Sequence, residues 1–419
     1  MPMSSMQLVK KAGSPLLLTV ATALMGLIFN FSATKYLSAE EFGIFALAQT
    51  LVLILVTVAK LGLEKTLIKY VAASKALQQS TQTSSVYTMG LLYAFVGIIC
   101  TTLTAWLFKE LMVYRLLNQS ELMPLIPIVL LLIAPNTFLA INSGLLRGYS
   151  CPNLSIVFSG FATLVLSTFF ILLFHPSTAL SLIKLVLFAA GSACIASFFL
   201  CFAQLKLKLT IDWQQTNAMF SSCMPLWTSS IVTLVIQQFS VIILSRHVSL
   251  SEIGIYAISS KIAVLMSFAL IAVNVIVTPK FSAFYAAGKI SELKSLTFTA
   301  NKVLFIIALL MAITLFTTAE LILSFFGAAF VQGAIYLKIL VLGQMVNLGT
   351  GSVTHLLIMT GNERVHQKNT LITAVTAICL VLLLVPKFGA IGAAVSTAVS
   401  MACQNLLSYY SARKLIYSK

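Results

Sequence analysis

Charge is what this sequence has least of. Only 9% of its 419 residues are Asp, Glu, Lys or Arg, where an ordinary soluble domain carries about 25%. Acid is scarcest, with ten Asp and Glu against 26 Lys and Arg, and Asp212 is the single aspartate. So few charges cannot coat a soluble surface for 45.3 kDa of protein, which excludes a soluble globular enzyme. Catalytic signatures are missing as well. There is no GxxxxGK[ST] loop for ATP, no HExxH, no GxSxG and no Cys/His cluster at metal-ligand spacing, so no catalytic residue, cofactor or metal is expected. The seven cysteines (100, 151, 194, 201, 223, 379 and 403) lie in or beside apolar runs without a CxxC pair. They read as small buried hydrophobes rather than a disulfide framework. Of the four histidines only His355 falls inside an apolar run, and there a packed, hydrogen-bonded role outweighs a proton relay.

What the sequence has in excess is apolar surface. Hydrophobic residues make up 59% and the mean hydropathy is +1.03, the composition of an all-α integral membrane protein. At roughly 20 residues per crossing the chain divides into twelve spans. These are 15–36, 43–63, 84–108, 122–147, 153–174, 181–204, 223–246, 253–279, 297–319, 334–360, 366–386 and 389–412. The first follows Lys10 and Lys11 and is too long for a signal-peptide core, so it is read as a retained span. The stretches 64–83, 205–222 and 280–296 mix polar with apolar residues, as amphipathic helices or elbows at a membrane edge do.

The net charge of +16 is spread evenly, with 13 basic and 5 acidic residues in each half. No basic tail or patch points to nucleic acid. On the twelve-span topology, 18 Lys and Arg fall on the side of the N-terminus and 7 on the other. The positive-inside rule then places both termini in the cytoplasm.

The two halves repeat. Ser14-Pro15-Leu16 returns as Met224-Pro225-Leu226, an offset of 210. Residues 39–46, AEEFGIFA, return as LSEIGIYA at 250–257, an offset of 211. Leu145-Leu146-Arg147-Gly148-Tyr149 is echoed by Ile358-Met359-Thr360-Gly361-Asn362, an offset of 213. Six spans per copy is an even number, so both copies share one orientation and relate by an axis along the membrane normal. The expected domains are a six-helix lobe at 1–204, an amphipathic cytoplasmic linker at 205–222 and a second lobe at 223–419. Transporters built this way hold substrate between the lobes. The acid-x-Gly elbows put a carboxylate beside a helix N-terminus. That is a structural role, preferred over a catalytic pair because Glu40 and Glu252 lie in different halves.

Ionisable residues at membrane depth carry the functional reading. No Asp or Glu sits near the middle of a predicted span, and Lys261 is the one deep charge. Counted from Ile253, it lies about 12 Å into a core about 30 Å thick. A lysine there costs on the order of 3 kcal/mol on insertion scales. Snorkelling to the edge is the plain alternative to a water-filled cavity, and it is strained at that depth. A cavity holding a cation without an anion suits an anionic ligand. Lys60 near the end of span two, Lys35 and Arg246 at the outer ends of spans one and seven, and Arg147 closing span four each read singly as snorkelling anchors. Together with Lys261 they form a candidate basic path for substrate.

Three segments, AEEFGIFALAQ (39–49), LLRGYSCPN (145–153) and PKFGAIGAAVSTAVS (386–400), carry a family resemblance. With the length and span count they resemble the polysaccharide-transport branch of the multidrug/oligosaccharidyl-lipid/polysaccharide exporter superfamily, nearest to its O-antigen repeat-unit flippases. The resemblance implies a V-shaped bundle of six plus six helices around a central cavity. It implies transport of an undecaprenyl-diphosphate-linked oligosaccharide across the bacterial inner membrane, alongside polymerase and other glycan-assembly proteins. It further implies that basic residues on spans one, two, seven and eight, here Lys35, Lys60, Arg246 and Lys261, meet the diphosphate. The sequence departs from the family's usual look in having few charges in the N-terminal half of that cavity. The rivals are a cation-coupled multidrug exporter of the same fold, which wants an intramembrane carboxylate, and a sugar polymerase, which wants a large outer loop.

Overall fold

The computed structural model describes residues 5–76, 80–205 and 216–417. They are helical almost throughout. The first half comprises α1 (Ser5–Tyr36), α2 (Ala39–Ala59), α3 (Leu63–Ala76), α4 (Ser80–Leu107), α5 (Ile126–Gly148), α6 (Pro152–Ile156), α7 (Ala162–Phe174) and α8 (Ala179–Leu205). The second comprises α9 (Thr216–Leu244), α10 (Leu250–Val264), α11 (Ser267–Ala286), α12 (Ile290–Thr317), α13 (Ala319–Ser324), α14 (Ala334–Gly349), α15 (Val353–Met359) and α16 (Glu363–Ala412). Residues 206–215 of the expected linker, with Asp212, lie outside the described residues, and 216–222 open α9.

Among the described residues, eleven helical stretches are long and apolar enough to cross a membrane. The last runs Glu363–Leu415, 53 residues, or about 80 Å if straight, far more than one crossing needs. It is a hairpin. Asn369 Nδ2 donates to Ser411 Oγ at 3.2 Å across 42 residues of chain, which a straight helix would hold about 63 Å apart. The reversal falls at Gly389, whose φ of 53° and ψ of −131° suit a residue without Cβ. Pro386 just before it removes a backbone donor. Eleven stretches thus give the twelve expected spans, with edges shifted by a few residues. Large apolar side chains stand outward along these helices, Ile195, Phe199 and Leu310 among them, as a surface bathed in lipid tails requires.

The internal repeat reappears as matched local geometry. Ser38 Oγ accepts from the Glu41 N–H at 3.2 Å, and Ser249 Oγ from the Glu252 N–H at 3.3 Å. Each is an N-cap that satisfies an orphan donor. The Glu41 carboxylate accepts from the Ala179 N–H at 2.5 Å, and Glu252 from the Ala390 N–H at 3.2 Å. Every one of these pairs is offset by 211. Each carboxylate therefore caps the first residue of its lobe's last helix, a structural task carried in the first copy by Glu41 rather than Glu40. A third landmark corrects the sequence alignment. Ser150 (φ 65°) and Gly361 (φ 77°) are the left-handed residues that end span four and its counterpart. The Cys151 N–H reaches back to Leu146 O at 2.8 Å, and the Asn362 N–H to Leu357 O at 2.9 Å. This helix stop is a Schellman-type turn, again at 211 rather than the 213 obtained by matching Gly148 with Gly361. The copies differ between α14 and α15, where residues 350–352 break a span that is continuous in α5.

Two compact units result, residues 17–238, and residues 239–419 with 1–16, so the division falls inside α9. In the first, α5 is central and packs on α2, α3, α4 and α8. Its core gathers Leu67, Tyr87, Ile141, Leu145 and Cys201. One polar chain runs through it: Tyr87 Oη donates to Asn142 Oδ1 at 2.7 Å and Asn142 Nδ2 donates to Ser197 Oγ at 2.7 Å. All three residues are buried. Replacing Asn142 with Leu strands the Tyr87 phenol at about 1–3 kcal/mol, while Ser197 Oγ keeps its bond to Cys194 O at 2.7 Å. The expected result is a melting temperature lower by several degrees in detergent. An unchanged melting temperature would show that the network contributes no stability. In the second unit the core is built from Val277, Phe281, Leu293, Leu356 and Leu357. All seven cysteines are free thiols.

Candidate functional site

The α2–α3 junction shapes the site of the first unit. Leu61 and Gly62 take φ values of 47° and 74°, which stops α2 at Lys60 and restarts the chain at Leu63. A side chain at Gly62 would run into the α9 backbone, 2.7 Å from Trp227 N and 2.8 Å from Cys223 O. Glycine is thus required for both conformation and approach. Across this break Lys60 Nζ pairs with Glu64 Oε2 at 3.2 Å, and both side chains are about a quarter exposed.

That ion pair lies on the wall of a cavity of about 360 Å³ bounded by α1, α2, α3, α5, α7, α8 and the segment 157–161, a size within the range of small-molecule sites. Phe29, Phe45 and Leu132 supply apolar wall, while Gln49, Asn136, Ser159, Thr163 and Ser167 supply amides and hydroxyls. The chain bends at Gly160, which also faces the cavity. A polar, uncharged lining beside one Lys–Glu pair offers hydrogen bonds to a polyhydroxyl ligand and a cation to an anionic group. The repeat retains part of this pattern. At the repeat offset of 211 Asn136 corresponds to Asn347 in α14, whose Nδ2 donates at 3.1 Å to the buried Gln344 Oε1, which also accepts from Ser267 Oγ at 2.9 Å.

Lys261 lies in the second unit, the twelfth residue of α10 and half-buried, about 16 Å along the helix from its start. Its repeat counterpart at offset 211 is Thr50, which bonds its own helix at Ala46 O and reaches Gln238 Oε1 at 3.4 Å. A hydroxyl in one copy is a charge in the other, at the same depth. Four residues beyond Lys261 the helix breaks at 265–266 before α11.

The other basic residues of the expected path stand at helix ends. Lys35 is exposed in the last turn of α1, 5.8 Å from the centre of the Tyr36 ring. Arg147 is exposed in the last turn of α5, and Arg246 is exposed just past α9. None of these three lines the cavity that contains Lys60. The reading of a cation-only interior also needs correction, because Glu64 shares the cavity wall. Sequence reasoning missed Glu64, Gln49 and Asn136. Among the described residues, no three His, Cys, Asp or Glu gather as metal ligands.

The sequence matches the family model described as polysaccharide biosynthesis protein over residues 8–285. The chain belongs to that family. No curated protein sequence matches it. Solved structures share its fold along nearly all its length. An inward-facing multidrug-resistance MATE transporter of the MOP superfamily superposes with a TM-score of 0.75 at 13% identity, covering 95% of each chain. The lipid II flippase MurJ, in an inward closed conformation, gives 0.69 at 15% identity over 95% of this chain and 87% of its own. A MOP superfamily transporter from Pyrococcus furiosus gives 0.68 at 13% identity over 99% and 97%. At these identities the likeness establishes the fold.

Proposed function

We propose that the chain is a flippase. It moves an undecaprenyl-diphosphate-linked oligosaccharide, an O-antigen or similar repeat unit, across the bacterial inner membrane. It makes and breaks no covalent bond. The observation that carries this reading is the cavity of the first unit, where amides and hydroxyls line a wall that also holds the Lys60–Glu64 pair. Sugars ask for many neutral hydrogen bonds and a diphosphate asks for cations. The family's polysaccharide role supports the same class of cargo. In this mechanism the head group enters a cavity open to the cytoplasm, the polyprenyl tail stays in lipid, and the six-helix lobes rock to release the head group outside. Lys261, Lys60, Lys35, Arg246 and Arg147 form the basic path, with both termini cytoplasmic, and polymerase and other glycan-assembly proteins are the expected partners.

One observation favours a second reading. Glu64 on the cavity wall supplies the carboxylate that a cation-coupled multidrug exporter would use. Its pairing with Lys60 at 3.2 Å makes the pair neutral and weighs against that role.

The test uses a strain that lacks the native gene. Expression of the chain should restore surface glycan and clear lipid-linked repeat units from the inner leaflet, with resistance to cationic dyes unchanged. Dye resistance without glycan would establish the exporter.

A further inference from the structure

The second unit carries a groove outside the features so far described. It runs between α14 and the second arm of α16, where Gly343 approaches the Ala398 backbone so closely that a Cβ would sit 2.7 Å from its Cα. That approach and the small Ala402 open a trough of about 260 Å³ walled by Ile339, Leu342, Val346, Val395 and Val399, with no polar lining. The same helical faces continue one turn further, at Gly349 and Thr350 on one side and Leu406 and Tyr409 on the other. There they border a cavity of about 750 Å³ to which α12 adds Lys294, Asn301 and Lys302. Both charged residues at this end are lysines, and both are exposed.

We propose that this groove is a binding site for one anionic glycerophospholipid, with an acyl chain in the trough and the phosphate between Lys294 and Lys302. The match is one of polarity along a line: dry and aliphatic at one end, cationic and hydrogen-bonding at the other. From Ile339 to Thr350 the groove spans eleven residues, about 16 Å, close to one leaflet of a core about 30 Å thick. An acyl chain fits that depth, and a polyprenyl chain several times longer would overrun it. A protein helix seated there would fill the trough but leave the lysines facing apolar surface. Asn301 and the Tyr409 phenol are placed to bond phosphate or glycerol oxygens, in the way polar groups mark the membrane interface. The inference does not rest on the transport reading.

The experiment is lipid binding to the full-length purified protein in detergent. Phosphatidylglycerol and phosphatidylethanolamine are titrated separately and followed by native mass spectrometry and melting temperature. Wild type should retain one phosphatidylglycerol at least tenfold more tightly than phosphatidylethanolamine, with the difference shrinking as salt rises. The K294Q/K302Q double variant alters two exposed side chains and should melt as wild type does without lipid, while losing the preference. Ala402→Trp should lose binding of both lipids. Equal binding of the two lipids by wild type, or a preference that survives in K294Q/K302Q, would overturn the proposal. Displacement of phosphatidylglycerol by a polyprenyl phosphate at equal or lower concentration would overturn it in favour of the transported lipid. A dimer in wild type that Ala402→Trp dissolves would overturn it in favour of a second copy.

Discussion

Replacing Lys261 with Glu is expected to abolish glycan export at normal membrane abundance, with Lys261→Gln losing tenfold or more and Lys261→Arg retaining a measurable part. The ordering follows from position. Lys261 is twelfth in α10, in the middle of a span, and the first copy of the repeat satisfies the same position with Thr50, a hydroxyl that bonds its own helix. The fold therefore does not require a charge there, and a lysine at that depth costs on the order of 3 kcal/mol on insertion scales. On the proposed transport reading, a ligand that must be neutralised gives the charge its reason. Where screening is poor, a unit charge about 6 Å from a phosphate acts with about 3 kcal/mol at an effective dielectric of about 20. Reversing it therefore weighs roughly twice as much as removing it, and each 1.4 kcal/mol is about tenfold. Arg keeps the charge but presents a wider, planar group, so its rescue is partial. Surface glycan and protein level are read together. If Gln and Glu variants export equally, or the Glu variant gains resistance to cationic dyes, the anionic-cargo reading fails.

The span pattern was legible in the sequence because a bilayer imposes one length on every crossing. Among the described residues, the crossings 366–386 and 389–412 run together in one helical stretch whose turn is a single glycine, Gly389. The repeat was legible wherever side chains perform a fixed task. Ser38 with Glu41 and Ser249 with Glu252 cap helix starts and reach across to Ala179 and Ala390, so they persist at one offset. Register slipped at Gly148 and Gly361 because glycine was matched to glycine. The left-handed position is what repeats, and in the first copy it is occupied by Ser150.

The cavity was less legible, for a physical reason. Gln49 and Asn136 stand on helices far apart in sequence, and no local pattern says that their faces meet. Only the repeat carried a signal, since the amide of Asn136 recurs as Asn347 in α14 at the offset of 211. Lys60 and Glu64 have the spacing of a helical ion pair. Yet the intervening Leu61-Gly62 ends the helix, so a reading by regular helix would not trust the pairing. The basic path is legible in the sequence as charge, while the surroundings of each residue are not. Lys35, Arg147 and Arg246 are exposed at helix ends, whereas Lys60 faces a cavity.

The Lys60–Glu64 pair separates the two readings of function more sharply than any other site. Lys60→Gln is expected to cut export more than tenfold and Glu64→Gln to change it less than threefold. The K60Q/E64Q double variant should export better than K60Q alone. The pair is 3.2 Å apart and three-quarters buried, so removing Lys60 leaves a lone carboxylate on the wall, facing the path of a diphosphate. Removing Glu64 instead leaves a lone lysine, which attracts the same ligand and at most slows its release. Taking out both charges lifts the repulsion while forgoing the attraction, which places the double variant between its parents. Coupling of this sign is what a double-mutant cycle resolves for groups in contact. A purely structural pair behaves otherwise, with both single variants lowering protein level together and export per molecule unchanged. A cation-coupled exporter inverts the order, because its carboxylate carries the coupling ion: Glu64→Gln then abolishes transport, Lys60→Gln is tolerated, and dye resistance follows the carboxylate. Export per molecule, measured for the three variants beside wild type in one strain, decides among these outcomes, and a K60Q/E64Q protein no better than K60Q removes Lys60 from the ligand path.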